Sequence, residues 1–426
     1  MLDRKTAPPI HDAIEFDYIL PPINSTTLDN GTPLYWLNAG VQDVAEVDWV
    51  FPAGLWYEPQ PAIAQAVSGL LKNGTTKRTA HQVNEALEYY GASLKVNTGN
   101  DNSTVTLYTL TKHLPQLLPI VQELLHEATF PQEELAIYQQ NTIQRLLVHQ
   151  RQCEFVANQQ IDALLFGEAH PYGRYTKKET IESITREAML GFYKTAYNPA
   201  NATIFMAGSV GNAEVKLLND MFGRETRAGH VAVDTEFASA PETARTHDIL
   251  NDPNGVQAAI RIGRTFPNRH HADFAPMVVL NTVFGGYFGS RLMSNIREEK
   301  GYTYGIYSSL SPFVNGGALT VHTEVGRDVV RPAVEEIYKE MELLRNEPAD
   351  EEELLLVKNY LLGNLLGDLD GPFHILQRWR TLILNGMTIE HFNRNIQVYK
   401  NITAEELQAL ANKYFKAEDY KEVVVV

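Results

Sequence analysis

The stretch SNIREEKGYTYGIYSSL, residues 294–310, is matched earlier in the chain by NEALEYYGASLKVNTGN, residues 84–100, with Gly301 aligned to Gly91. In both stretches, a helix-like spacing of apolar residues precedes the glycine and a two-residue alternation follows it. Glycine is the usual residue just past a helix C-terminus, so each stretch predicts a helix followed by a strand. The recurrence of this pattern indicates an internal repeat.

The similarity continues beyond these stretches and in the same order. ALTVHTEV at residues 318–325 resembles STVTLYTLT at residues 103–111, and ADEEELLLVKNYLLGNLL at 349–366 resembles PQEELAIYQQNTIQRLL at 131–147. Strand-like and helix-like patterns alternate, and the strand pairs are typical of antiparallel hairpins. We therefore predict an α+β fold with two homologous domains, each a mostly antiparallel sheet packed against helices.

The length of the chain agrees with two domains. A single core stops growing at about 250–300 residues, and this chain has 426. A polar stretch without clear periodicity separates the two copies. We place the N-terminal domain at residues 1–225, the linker at 226–244 and the C-terminal domain at 245–426.

The composition excludes several functional classes. With 36 basic and 52 acidic residues, the formal charge is −16, which repels nucleic acid and anionic membrane surfaces. No stretch reaches the roughly 18 apolar residues of a membrane span, and MLDRKTAPPIHDAIEF at the start has no apolar signal region. The only cysteine, Cys153, excludes an internal disulfide. We expect a cytoplasmic protein.

Five stretches carry a resemblance to a known family. They are TTLDNG (26–31), LLKNGTTKRTAHQVNEALEYYGASL (70–94), HPYGR (170–174), YNPANATIFMAGSV (197–210) and GGYFGSRLMSNIREEKGYTYGIYSS (285–309). On these stretches, and over essentially its whole length, the chain resembles the pitrilysin and mitochondrial-processing-peptidase family of metallopeptidases, whose zinc motif is H-x-x-E-H. Members have two homologous α+β domains, which agrees with the repeat.

The zinc motif itself is missing. The resemblance places Gln65, Ser68 and Gly69 where the first histidine, the glutamate base and the second histidine would stand, and Arg145 near the remaining glutamate ligand. Zinc requires imidazole, thiolate or carboxylate ligands. From the resemblance, we expect no metal and no other cofactor in this chain.

The second domain retains a different pair. In two-subunit bacterial members, one chain carries zinc and the other carries an arginine and a tyrosine, matched here by Arg297 and Tyr304. The resemblance implies a non-zinc subunit, inactive alone, whose pair would stabilise the oxyanion of peptide hydrolysis. The implied partner is a homologous subunit that bears H-x-x-E-H and zinc. The implied substrate is a peptide or an unfolded protein.

Other interpretations remain open. Arg297 could pair with Glu298 or Glu299, and Tyr304 could fill a half-buried strand position. The chain could be an inactive scaffold or substrate-binding homologue, and it could form a homodimer in isolation. A hydrolase that uses Cys153, with His149 four residues earlier, lacks a convincing base and orienting group.

Overall fold

A computed structural model describes residues 7, 11–198, 201–224, 237, 241 and 243–426. The strands are β1 (Asn24–Thr27), β2 (Pro33–Asn38), β3 (Val44–Phe51), β4 (Ser93–Thr98), β5 (Ser103–Leu110), β6 (Thr203–Gly208), β7 (Thr246–Ile249), β8 (Gln257–Thr265), β9 (Thr303–Phe313), β10 (Gly316–Gly326) and β11 (Lys421–Val425).

The α-helices in the described part of the chain are α1 (Ile63–Leu70), α2 (Ala80–Tyr89), α3 (Leu114–Glu127), α4 (Gln132–His149), α5 (Cys153–Phe166), α6 (Lys178–Glu182), α7 (Arg186–Ala196), α8 (Asn212–Phe222), α9 (Phe274–Asn281), α10 (Val330–Asn346), α11 (Glu351–Gly367), α12 (Pro372–Leu384), α13 (Ile389–Asn401) and α14 (Ala404–Tyr414). Two π-helical segments, Thr282–Gly286 and Met293–Glu299, lie between α9 and β9.

The first sheet has the strand order β1-β2-β6-β3-β5-β4. Strands β2 and β6 run parallel, and the other neighbouring pairs are antiparallel. Gly31 adopts a φ of +89° in the turn that joins β1 to β2, which glycine accepts without steric cost. The N-terminal half therefore contains the mostly antiparallel sheet that the sequence predicts.

Five strands belong to the second sheet. Within it, β11 pairs with β7 in parallel and with β8 in antiparallel orientation, and β9 pairs with β10 as an antiparallel hairpin. The β9 and β10 hairpin corresponds in the repeat to the β4 and β5 hairpin, and α11 corresponds to α4. The predicted α+β fold with two sheets packed against helices is confirmed.

The core of the first sheet is aromatic and aliphatic. Trp49 and Phe51 on β3 are almost fully buried, and they pack against one ring from α8 and one from the residue that follows α7. The ring centroids of Trp49 and Phe222 are 5.3 Å apart, and those of Phe51 and Tyr197 are 5.1 Å apart. Burial of such a side chain contributes about 1.5–3 kcal/mol, so these contacts fix the helices on the sheet.

Two compact units divide the chain. One comprises the N-terminal segment to Pro21 with Phe266–Asp370 and Thr381–Tyr420, and the other comprises Pro22–Thr265, Gly371–Arg380 and Lys421–Val426. The predicted linker at 226–244 lies outside the described residues except at 237, 241, 243 and 244. The predicted domain boundaries stay a prediction.

The larger unit includes strands from the second sheet. There β8 and β11 contact α5. The side chain of Arg261 on β8 is buried, and its Nε donates to Asn158 Oδ1 on α5 at 2.6 Å. A buried guanidinium needs such acceptors, because leaving it unpaired would be costly.

None of the helices in the described ranges is long and apolar enough to cross a membrane.

Candidate functional site

The segment from residue 293 to residue 304 begins as a π-helix and ends on a strand. Lys300 donates its backbone N–H to the carbonyl of Asn295 at 2.9 Å, and Tyr302 donates to Ile296 at 3.0 Å. Gly301 has a φ of +67°, a conformation that favours glycine. As the sequence predicts, Gly301 follows the end of the helix and β9 begins two residues later. The π-helical form was not predicted.

Side-chain hydrogen bonds hold this helix against its neighbours. The Asn295 amide donates to Glu336 Oε2 at 2.8 Å and to Glu340 Oε1 at 2.7 Å, both on α10. Arg291 forms a bidentate salt bridge with the carboxylate of Glu353 on α11, with N–O distances of 2.8 and 2.7 Å. Such charge-assisted bonds are stronger than neutral ones, so they restrict the position of the helix that carries Arg297.

Arg297 is half-buried and makes no ion pair within the described residues. Its Cζ lies 4.5 Å from the ring centroid of Phe288, as in a cation–π contact. Its Nη1 is shielded from solvent, and no described residue accepts a hydrogen bond from it. The nearby Glu299 pairs with Lys300 at 2.8 Å instead. A pairing of Arg297 with Glu298 or Glu299, the alternative left open by the sequence, is not what the structure shows.

Tyr304 is 96% exposed, although it lies within a strand whose residue Ile306 is buried. The register explains this difference. Thr303 pairs with Val325 and Ile306 pairs with Thr323, so two residues of β9 oppose one of β10. This is a β-bulge at Tyr304 and Gly305, and bulges redirect a side chain. Tyr304 therefore does not fill the half-buried strand position that the sequence left open.

Two threonine hydroxyls stabilise the bulge. Thr303 Oγ1 accepts from the N–H of Gly305 at 3.1 Å and donates to the carbonyl of Glu324 at 2.7 Å. The hydroxyl of Thr323, from β10, donates to the carbonyl of Gly305 at 3.0 Å. These bonds satisfy backbone groups that the bulge removes from the sheet ladder. The backbone at Tyr304 is thus fixed while its side chain stays free.

The positions of the missing zinc motif lie on α1 and on the contacting helix α4. Gln65 and Arg145 line one cleft of about 400 Å³ between α1 and α4. Ser68 is buried on α1. A Cβ at Gly69 would lie 3.0 Å from the ring of Tyr138, so a histidine could stand there only if Tyr138 moved.

These residues do not fit zinc. An amide, a hydroxyl, a glycine and a guanidinium offer neither the charge nor the imidazole nitrogen that zinc requires. No group of three or more histidine, cysteine, aspartate or glutamate side chains suited to a metal ion occurs within the described ranges. The chemistry of the cleft is that of an arginine-lined pocket.

A buried ion pair, which sequence reasoning missed, lies in the same cleft. Arg174 Nη2 lies 3.1 Å from Glu58 Oε1, and the two side chains are 12% and 2% exposed. The Glu58 carboxylate also accepts the backbone N–H groups of Ala62 and Ala64, at 3.3 and 2.9 Å. Burial nevertheless raises the pKa of Glu58 to about 7. Arg174 belongs to the HPYGR stretch, and this stretch was the only feature of the sequence that pointed to Arg174.

The Cys153 alternative gains no support. The Cys153 thiol is half-buried and lies 3.9 Å from the carbonyl of Gln257. The Nδ1 of His149 is hydrogen-bonded to Gln152 Oε1 at 3.1 Å, and its ring stacks on Phe155. His149 is therefore engaged elsewhere and not arranged to activate the thiol.

Comparison with known proteins identifies two matching family models. The model described as Insulinase (Peptidase family M16) matches residues 38–170, and the model described as Peptidase M16 inactive domain matches residues 183–361. Together they include strands of both sheets. The first match contains Gln65 and Arg145, and the second contains Arg297 and Tyr304.

Sequence relatives and solved structures agree with these family models. The chain is 24% identical to an uncharacterized zinc protease of Mycobacterium leprae, over 82% of this chain and 79% of the relative. It is 22% identical to one of Bacillus subtilis, over 90% and 93%. An M16 inactive domain protein from Pseudomonas fluorescens has a TM-score of 0.86 at 20% identity, covering 95% and 98%. A protease from Helicobacter pylori has a TM-score of 0.85 at 17% identity, covering 96% and 100%.

The first prediction concerns metal. We expect the protein purified without chelator to contain far less than one zinc per chain, because Gln65, Ser68, Gly69 and Arg145 cannot supply zinc ligands. Inductively coupled plasma mass spectrometry measures this directly. Stoichiometric zinc that disappears when the α1 residues are substituted would contradict the prediction.

The second prediction concerns the pH dependence of stability. The folded pKa of Glu58 is about 7 against an ordinary value of 4.5, so between these values the folded state binds more protons than the unfolded state. The free energy of unfolding therefore falls as pH rises through this interval. Relative to Glu58→Gln, the free energy of unfolding of the wild type should fall by about 3 kcal/mol between pH 4.5 and 7. It should change little at higher pH.

Urea denaturation of both proteins at a series of pH values measures this difference. A difference that stays constant with pH, or that grows in favour of the wild type, would show that Glu58 is ionised throughout.

Proposed function

Because the chain belongs to the M16 peptidase family, we propose that it is the non-zinc subunit of a heterodimeric zinc metallopeptidase. In this proposal the partner is a homologous subunit with an intact H-x-x-E-H motif. The substrate is a peptide or an unfolded protein segment, and the complex works in the cytoplasm. The chain is inactive alone and contributes Arg297 and Tyr304 to the reaction.

The observation that carries the proposal is that Arg297 and Tyr304 both keep hydrogen-bond donors free. Arg297 Nη1 is shielded from solvent without a partner, and Tyr304 is 96% exposed. A buried donor without an acceptor costs about 1–3 kcal/mol. A catalytic role is one explanation for a group that bears such a cost.

The chemistry of the pair suits peptide hydrolysis. Attack on the scissile carbonyl places negative charge on its oxygen, and a preorganised donor aimed there lowers the barrier. The Arg297 guanidinium donates with a permanent charge, and the Tyr304 phenol donates a neutral hydrogen bond. The partner's zinc, when bound, supplies the Lewis acid that this chain lacks.

The alternative is a scaffold or substrate-binding homologue. The inactive-domain model that matches residues 183–361 is compatible with either function. The oxyanion role gives a function to the shielded Arg297 donor and to the exposed Tyr304 phenol together, and for that reason we favour the assisting subunit.

The third prediction is kinetic. In the complex with a co-expressed homologue that bears H-x-x-E-H, Arg297→Ala and Tyr304→Phe should each lower kcat by about 10²–10³, as expected for loss of an oxyanion donor. Steady-state cleavage of a quenched fluorogenic peptide measures kcat and KM. Arg224→Ala and Tyr89→Phe are matched controls, because both residues are exposed and lie outside the segment 293–304.

Co-purification and thermal melts of each variant report assembly and folding. Near-normal turnover in both Arg297→Ala and Tyr304→Phe, with assembly intact, would favour the scaffold. A wild-type complex that forms but cleaves nothing would also count against the proposal.

A further inference from the structure

The cleft that contains Gln65 and Arg145, here termed the Arg145 cleft, combines cationic and apolar walls. Among the residues that the structure describes, two arginines and one histidine contribute to its lining, and Glu58 contributes the only carboxylate. We propose that the Arg145 cleft binds the free carboxylate and last apolar side chain of a peptide C-terminus. Its apolar lining residues are Leu55, Pro61, Ala62, Leu146, Phe155 and Ile181.

The charge balance of the Arg145 cleft favours an anion. The Glu58 carboxylate is already paired with Arg174 and accepts two backbone N–H groups, so it does not neutralise Arg145. The guanidinium of Arg145 is exposed, and its Nη2 donates to Thr142 Oγ1 at 3.2 Å. No acidic residue occurs from Leu135 to Cys153 to pair with it on α4. One cationic group therefore remains available.

A second donor lies deeper in the cleft. Arg174 is 12% exposed, and its Nη2 contacts Glu58. Its Nε is shielded from solvent and has no hydrogen-bond partner among the described residues. Arginine recognises carboxylates with several of its N–H groups at once. An arriving carboxylate would provide the acceptor that Nε lacks and would also approach Arg145.

The size and apolar walls of the cleft distinguish a peptide end from inorganic phosphate. A volume of about 400 Å³ lies at the small end of ligand sites, which span about 300–1,000 Å³. It suits one or two residues rather than a folded partner. Phe155 and Leu146 would contact an apolar side chain, which phosphate lacks.

This inference is independent of the proposed zinc-bearing partner, because the binding requires this chain alone. The test therefore uses the isolated full chain. Binding of N-acetyl-L-phenylalanine, N-acetyl-L-phenylalaninamide and inorganic phosphate is compared by isothermal titration calorimetry. We expect the acid to bind about tenfold or more tightly than the amide, because the amide removes the charge that the arginines recognise.

The variant Arg145→Gln should lower affinity for the acid about tenfold or more. Arg145 is exposed, so the substitution leaves the core intact. Arg151→Gln is the matched control, since Arg151 is an exposed arginine six residues further on that does not line the cleft, and it should bind the acid as the wild type does.

Three results would overturn the inference. The acid and the amide could bind equally, phosphate could bind more tightly than the acid, or Arg151→Gln could weaken binding as much as Arg145→Gln does. The last result would indicate nonspecific attraction to positive charge. A failure here would leave the catalytic role of Arg297 and Tyr304 untouched, because that role is measured by turnover in the complex.

Discussion

The geometry of the candidate catalytic pair depends on one backbone conformation, the left-handed φ of +67° at Gly301. This conformation ends the π-helix and turns the chain into β9, so that Arg297 and Tyr304 stand on consecutive elements. A residue with a Cβ adopts such a φ only at an energetic cost. The bulge at Tyr304 then exposes the phenol, while Asn295 and its two glutamates hold the helix that carries Arg297.

Each half of the chain has one arginine whose guanidinium can donate to a ligand. On α4, Arg145 lines the cleft with a positively charged side chain. The family resemblance aligns this position with an acidic zinc ligand. In the second half, Arg297 Nη1 has no acceptor in the part of the chain that the structure describes. Both are arginines available to an anion or to a developing oxyanion. Although the net charge of the chain is −16, Arg145 and Arg297 thus place positive charge at both candidate sites.

The repeat made most of the fold predictable. Matching Gly301 to Gly91 correctly predicted a helix followed by a strand, and β4 with β5 and β9 with β10 are the expected hairpins. The π-helix was not predictable, because packing and side-chain bonds to α10 determine it rather than apolar periodicity. The bulge that exposes Tyr304 was also not predictable, because it can be recognised only from the register between β9 and β10.

The candidate site was predictable only in part. A sequence motif was enough to predict Arg297 and Tyr304. The contact between Arg297 and Phe288, nine residues earlier, depends on the fold and was not predictable from a local pattern. Tyr138 fills the space beside Gly69 from another helix, and Glu58 meets Arg174 across more than a hundred residues. Contacts of this kind depend on tertiary packing, which a single sequence does not reveal.

The measurement that tests the central claim most directly is a double-mutant cycle on Arg297 and Tyr304 in the complex with the zinc-bearing homologue. The kcat/KM values of the wild type, Arg297→Ala, Tyr304→Phe and the double variant are compared. If both donors serve one oxyanion, the double variant should lose much less than the product of the two single losses. Losses that multiply independently, or that are negligible in all three variants, would contradict a shared catalytic role.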